Sequence, residues 1–204
     1  APSDFRDEDN FLKLFNKSNM AEKVTKLNEE LADSEQDIKQ EDEIRNGDIK
    51  SDDNQDAKYR DIIRRNAKAT YLLAEELTIN KLSQEFGHKI EREMMLNATN
   101  SRFMFDGVVT KGNKYFAIEI KYFKDNIKAN IIKKTLKMIE RVFNELDENT
   151  KKAFHLVLAI TSECDKGEIE KSKGIVSEVA VNFPFPVLAR FYCLSDLEKE
   201  FGFA

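Results

Sequence analysis

Phe103-Met104-Phe105-Asp106-Gly107-Val108-Val109 and Tyr115-Phe116-Ala117-Ile118-Glu119-Ile120-Lys121-Tyr122-Phe123, joined through Lys111-Gly112-Asn113-Lys114, decide the fold of this chain. Both runs are rich in the aromatic and β-branched residues that suit strands. Gly-Asn between two such runs is the signal of a two-residue hairpin turn. With Gly112 and Asn113 as the turn residues, Asp106 faces Glu119 and Met104 faces Lys121. Side chains alternate along a strand, so Glu119 and Lys121 share a face. Cross-strand neighbours on one face have Cβ atoms about 4.5–5.5 Å apart. Burying charges there is costly unless they pair or bind an ion. Two carboxylates that close repel each other, and a divalent cation between them relieves the repulsion.

The tripeptide Glu119-Ile120-Lys121 is weak evidence by itself. Charged residues make up 35% of the chain, and Asp37-Ile38-Lys39, Asp48-Ile49-Lys50 and Asp56-Ala57-Lys58 have the same acid-x-Lys form in polar surroundings. Only Glu119-Ile120-Lys121 lies in a strand-like run with an acid across a short turn. The competing reading is a surface salt bridge on a hairpin with one wet face.

Phe105-Asp106-Gly107 followed by Ala117-Ile118-Glu119-Ile120-Lys121 resembles the core motif of the PD-(D/E)XK nuclease superfamily, the restriction-endonuclease-like fold. In that family a helix precedes the hairpin and often carries a further glutamate. Gly87-His88-Lys89-Ile90-Glu91-Arg92-Glu93 is similar to the Gly-x-x-x-Glu-Arg start in archaeal-type Holliday-junction resolvases and related restriction enzymes. The resemblance covers residues 80 to 200. It implies that Asp106, Glu119 and the Ile120 carbonyl hold Mg²⁺ or Mn²⁺. It makes Lys121 the group that positions water or stabilises the phosphate, and Glu91 an outer ligand. Two features depart from the family pattern. Phe105 stands where the motif has proline. Only the stretch Asn97 to Arg102 separates the expected helix from the Asp106 strand, where the usual fold has an extra strand; either that strand is abbreviated or the helix ends earlier.

The wider chain bounds the answer. Its 204 residues suit one medium domain with an extension. No apolar run approaches the roughly 20 residues of a membrane span, and no secretory signal is visible. The start at Ala1-Pro2 suits a piece of a longer protein. Cys164 and Cys193 make no disulfide framework and fit a reducing, cytoplasmic setting. His88 and His155 stand alone, so a zinc site has no support. The net charge of −5 is unevenly spread: residues 1–57 hold 8 Lys/Arg against 17 Asp/Glu, and residues 58–204 hold 25 against 21. Phosphate binding depends on local basic surface. The densest basic stretch follows the hairpin: Lys121, Lys124, Lys128, Lys133, Lys134, Lys137 and Arg141. A solvated helix face is the bland alternative.

Periodicity organises the rest. Residues 1–57 read as an acidic arm, helical or partly disordered, and residues 58–204 as the nuclease-like domain. The patch Phe11-Leu12 and Leu14-Phe15 suits a frayed helix or a docking peptide. Met20, Val24, Leu27, Leu31, Ser34 and Ile38 keep heptad spacing, for a homodimer through N-terminal helices or for packing on the chain's own domain. Asn46 to Asp56 reads as a loop. Tyr59, Ile62, Ile63, Ala67, Thr70, Leu73, Ala74 and Leu77 form a helical stripe that Leu82, Phe86, Ile90 and Met94 continue. After the hairpin come a long helix with Ile131, Ile132, Leu136, Ile139, Val142, Phe143 and Leu146 on its apolar side, a buried strand over 153–161, a helix near 166–181 and a strand over 186–194. Ser195 is the expected N-cap of a closing helix, with Glu198 completing a capping box. The order predicts a mixed α/β sheet with helices on both faces.

Three functional readings follow. The favoured one is a metal-dependent endonuclease acting on DNA, in restriction, defence or repair. The second is a catalytically inactive scaffold that binds nucleic acid or assembles proteins. In the third, the acidic arm covers the basic surface and holds the enzyme off. Walker loops, catalytic triads and cysteine clusters are absent from the sequence.

Overall fold

The computed structural model describes residues 14–45, 53–163 and 165–203. Phe11, Leu12, Cys164 and residues 46–52 of the expected loop lie outside them, as do the side chains of Ser34 and Ile38. The elements in order are β1 (Phe15–Lys17), α1 (Met20–Arg45), α2 (Asp53–Phe86), β2 (Glu91–Asn97), β3 (Arg102–Lys111), β4 (Lys114–Phe123), α3 (Ala129–Asn144), α4 (Glu148–Ala153), β5 (Phe154–Ser162), α5 (Lys166–Ala180), β6 (Val187–Cys193) and α6 (Leu194–Glu200). One six-stranded sheet runs in sequence order, β1 to β6. The first four strands are antiparallel neighbours, and β5 and β6 join in parallel. This is the expected mixed α/β sheet with helices on both faces.

The hairpin has the register read from the sequence, from Gly107 opposite Ile118 to Lys111 opposite Lys114. Gly112, the first turn residue, has φ +62°. A hairpin turn of the II′ kind requires that sign at this place, and glycine adopts it without steric cost. Two apolar layers clamp the sheet. On one face, Phe105, Ala117, Phe154, Leu156 and Leu158 pack against Ile132, Leu136 and Ile139 of α3 and Val176 of α5. On the other, Ile118, Ile120, Val157 and Ala159 meet Ile79 and Leu82 of α2. Burying a side chain of this size stabilises by about 1.5–3 kcal/mol. Thr78 of α2 and Thr161 of β5 share a buried hydrogen bond of 2.7 Å across that second layer. Among the described residues no helix is long and apolar enough to cross a membrane.

Several expectations are corrected. The α2 helix stops at Phe86 and an extended strand begins at Glu91, so the stripe through Ile90 and Met94 is not helical. Ile90 packs on the α2 layer and Met94 on the opposite one. The strand missing before Asp106 is therefore present as β2, and the earlier end of the helix makes room for it. Asp53 to Asp56, expected in a loop, open α2. Phe15 is buried in β1, which pairs with β2, rather than lying in a docking peptide or frayed helix. Within the segment read as an arm, α1 packs Leu31 into its own domain while Met20 and Val24 stay exposed. The last helix starts at Leu194 with Cys193 as its N-cap, so Ser195 lies inside the first turn.

Candidate functional site

Asp106, Glu119 and Lys121 are 3%, 1% and 5% exposed. Those values remove the surface salt-bridge reading. The backbone around Asp106 is irregular in a way that serves the site. Phe105 and Val108 belong to the same apolar layer, whereas strict alternation puts positions three apart on opposite faces. Across from Asp106, Glu93 has φ +55°, and the β2–β3 pairing is interrupted between Arg92–Gly107 and Met94–Phe105. The regular β3–β4 ladder ends at Gly107, and the Asp106 carboxylate takes the Ile120 N–H at 2.7 Å. Because N–H and C=O of one strand residue point toward the same neighbour, the Ile120 carbonyl is also sent toward β3. Gly107 makes this kink feasible: a Cβ there would collide with Ile90 Cγ2 and lie 3.5 Å from Ile79 Cδ1.

Residues of α1 complete the site. Lys26 Nζ lies 2.7 Å from Glu119 Oε1 and 3.4 Å from Asp106 Oδ1, and donates to the Met104 carbonyl at 2.5 Å. One helical turn on, Glu30 accepts from Lys121 Nζ at 2.7 Å, while Lys121 stands 4.0 Å from Glu119 Oε2. From α2, Tyr71 and Glu75 close the wall; Tyr71 is buried and the Glu75 side chain is 12% exposed. Arg92 of β2 lies 3.6 Å from Glu75.

The ionisation pattern follows from this crowding. Burial pushes Glu119 well above the usual carboxylate range, and Asp106 adds to the rise against the pull of Lys26 and Lys121. Asp106 is also penalised by burial, yet Lys26, a hydrogen bond with Glu119, the Ile120 N–H and Lys121 together hold it below its ordinary value. The crowding thus drives the two acids apart, Asp106 toward the charged form and Glu119 toward the neutral one. Burial lowers Lys26, but Asp106, Glu119 and Glu30 outweigh it and keep the ammonium charged. Lys121 behaves likewise: burial opposes its charge, and Glu30 and Glu119 restore it. Burial and the neighbouring Asp106 carboxylate push Glu75 up to about 8.

Two carboxylates and a backbone carbonyl are hard oxygen donors of the kind Mg²⁺ and Mn²⁺ take. The Lys26 ammonium is itself a cation seated between those carboxylates, so the position is built for positive charge. An ion would fit there once Lys26 withdraws. Among the described residues no three His, Cys, Asp or Glu side chains converge on one point, leaving water or phosphate to complete any coordination.

Other expected residues scatter. Glu91 lies on β2, not on a helix, with its side chain 38% exposed and Lys89 Nζ 3.8 Å away. The helix glutamate near Asp106 is Glu75. Lys124 and Lys128 line a cleft of about 390 Å³ with Lys121, Glu30 and Tyr71. Lys134 and Arg141 line a groove of about 1010 Å³ with Lys26, Arg102, Glu119 and Lys121. Lys133 and Lys137 turn instead to a separate depression beside Phe183. Sequence reading missed Lys26, Glu30, Tyr71 and Glu75. The available signal for Glu75 was an acid inside the apolar run Tyr71-Leu72-Leu73-Ala74-Glu75-Glu76-Leu77; Lys26 and Glu30 carried none, since Glu119 and Lys121 lie 93 and 91 positions away. Comparison with family models, with curated proteins and with solved structures gives no match.

Proposed function

We propose that this protein is a metal-dependent phosphodiester hydrolase, an endonuclease of DNA built on a restriction-endonuclease-like core. One observation carries the reading: two buried carboxylates on adjacent strands hold a cation between them, with a buried lysine two residues along on the same strand. Asp106, Glu119 and the Ile120 carbonyl would hold Mg²⁺ or Mn²⁺. Bound there, such an ion would supply Lewis acidity toward a phosphate oxygen and would lower the pKa of bound water. Lys121, freed from Glu30, places a point charge beside the phosphate as negative charge develops. In the ion-free site, burial and the Asp106 carboxylate favour the protonated form of Glu75. Lys124, Lys128 and Lys134 flank the site on two sides and suit backbone phosphates. Lys133 and Lys137 suit a more distant length of the same strand.

The test is cleavage of plasmid and single-stranded DNA with Mg²⁺ or Mn²⁺ by the full chain and by Lys121→Ala, each with Lys26 and with Lys26→Gln. Loss of cleavage in the Lys121→Ala proteins supports the assignment; equal rates with and without Lys121 refute it. A second reading has its own observation. Lys26 neutralises the acids without any ion, which suits a catalytically inactive scaffold that binds nucleic acid or partner proteins. Absence of cleavage in every variant, with DNA binding retained, selects that reading.

A further inference from the structure

We infer that α1 is a removable plug that occupies the site by imitating both of its ligands, the metal ion and the phosphate chain. The inference rests on the reading of Asp106, Glu119 and Lys121 as a metal and phosphate site. Five charges along one side of α1 meet opposite charges of the domain. Glu22 reaches Arg102 at 3.5 Å, Lys23 reaches Glu93 at 2.5 Å, Lys26 enters between Asp106 and Glu119, Glu30 takes Lys121, and Asp33 reaches Lys134 at 3.5 Å. Positions 22, 26, 30 and 33 recur at helical spacing, so one helix face delivers them together. Each carries the sign opposite to that of the group beneath it. Lys26, the cation among these four, lies on the carboxylates where an ion would be held. The carboxylates lie on Arg102, Lys121 and Lys134, which line the groove that a phosphate chain would follow.

The grip of this helix is ionic more than apolar. Leu31 is buried, but Met20 and Val24 are 72% and 47% exposed. Outer pairs such as Asp33–Lys134 and Glu22–Arg102 have one partner more than half exposed, and pairs of that kind contribute little and weaken with salt. A plug built this way yields to ligands that offer the same charges at higher density: a divalent ion in place of one ammonium, and a run of phosphates in place of Glu22, Glu30 and Asp33. Closure also sets a penalty. A site open about 1% of the time binds about a hundredfold more weakly than the same site held open.

The experiment compares the full chain with Lys26→Gln and with the double variant Glu30→Gln, Asp33→Asn. Mn²⁺ binding is read by water-proton relaxation, and amide exchange by mass spectrometry, with Mn²⁺ alone and with Mn²⁺ plus a duplex oligonucleotide. The plug predicts at least a tenfold gain in Mn²⁺ affinity for Lys26→Gln, on the order of the closure penalty. It also predicts that Mn²⁺ with the duplex accelerates exchange of residues 22–33 in the unsubstituted chain while α3 and β5 stay protected. The double variant, which keeps Lys26 on the carboxylates, should speed α1 exchange without metal, so the idea remains testable if Lys26→Gln fails to fold. Equal Mn²⁺ affinity in all forms, with α1 protected throughout, overturns the plug and leaves the metal site standing. Failure of every folded form to bind Mn²⁺ overturns both.

Discussion

Glu75→Gln isolates one buried carboxyl and gives a sign that is hard to obtain by accident. In the folded protein, burial and the Asp106 carboxylate raise Glu75 from 4.5 to about 8, against the pull of Arg92 and Lys26. A folded-state pKa above the unfolded value means that between these limits the folded protein keeps a proton the unfolded chain has lost. The stability associated with Glu75 is therefore full below pH 4.5 and falls as pH rises toward about 8. Each unit is worth about 1.36 kcal/mol, so the whole interval bounds the loss at about 5 kcal/mol. Because Glu75 feels the Asp106 charge, part of that interval belongs to the pair, and the share of Glu75 alone is on the order of half the bound. Glutamine has the shape of the protonated acid and does not ionise. Urea unfolding at about pH 5 should give nearly equal stabilities, and at about pH 9 the variant should be more stable by that share. Parallel stability–pH curves for the two proteins would refute the placement of Glu75 beside Asp106.

Gly107→Ala should lower stability by about 1–3 kcal/mol, because its methyl group overlaps Ile90 and crowds Ile79; an unchanged melting temperature would contradict the close approach of β2 and α2. Lys26→Met leaves Asp106 and Glu119 without their cation and should cost about 3–5 kcal/mol above neutral pH, less in acid where the carboxyls carry protons. Urea unfolding at the two pH values measures the difference, and an equal cost at both would argue against an ionic role.

Much of this fold was legible because the hairpin obeys local rules. Alternation, a Gly-Asn turn and strand-forming residues fixed the opposition of Asp106 and Glu119. The turn geometry at Gly112 then holds the register to Gly107. The misreading of Glu91 has an equally specific cause. Ile90 and Met94 keep i+4 spacing by coincidence, one just before β2 facing α2 and the other within it facing α3. A strand buried on both faces offers no alternation to distinguish it from a helix stripe. Lys26 and Glu30 lay beyond reach for another reason. An ion pair between residues distant in sequence leaves no periodic trace; it exists only once α1 has folded back over the sheet. The kink at Asp106, by contrast, is marked in sequence by the glycine that follows it.

The three residues of β1 have a practical consequence for anyone seeking to open the site. Phe15 closes part of the first apolar layer, and Ser18 fastens to the Glu93 carbonyl through its N–H at 3.0 Å and its hydroxyl at 2.8 Å. Only Ser18 and Asn19 separate that strand from α1. Truncating the acidic segment would strip both together, baring the backbone donors and acceptors of Met94 to Leu96 as a template for another chain to pair with. A truncated protein would trade a closed site for a self-associating sheet margin, so substitutions within α1 separate the two effects where a deletion confounds them.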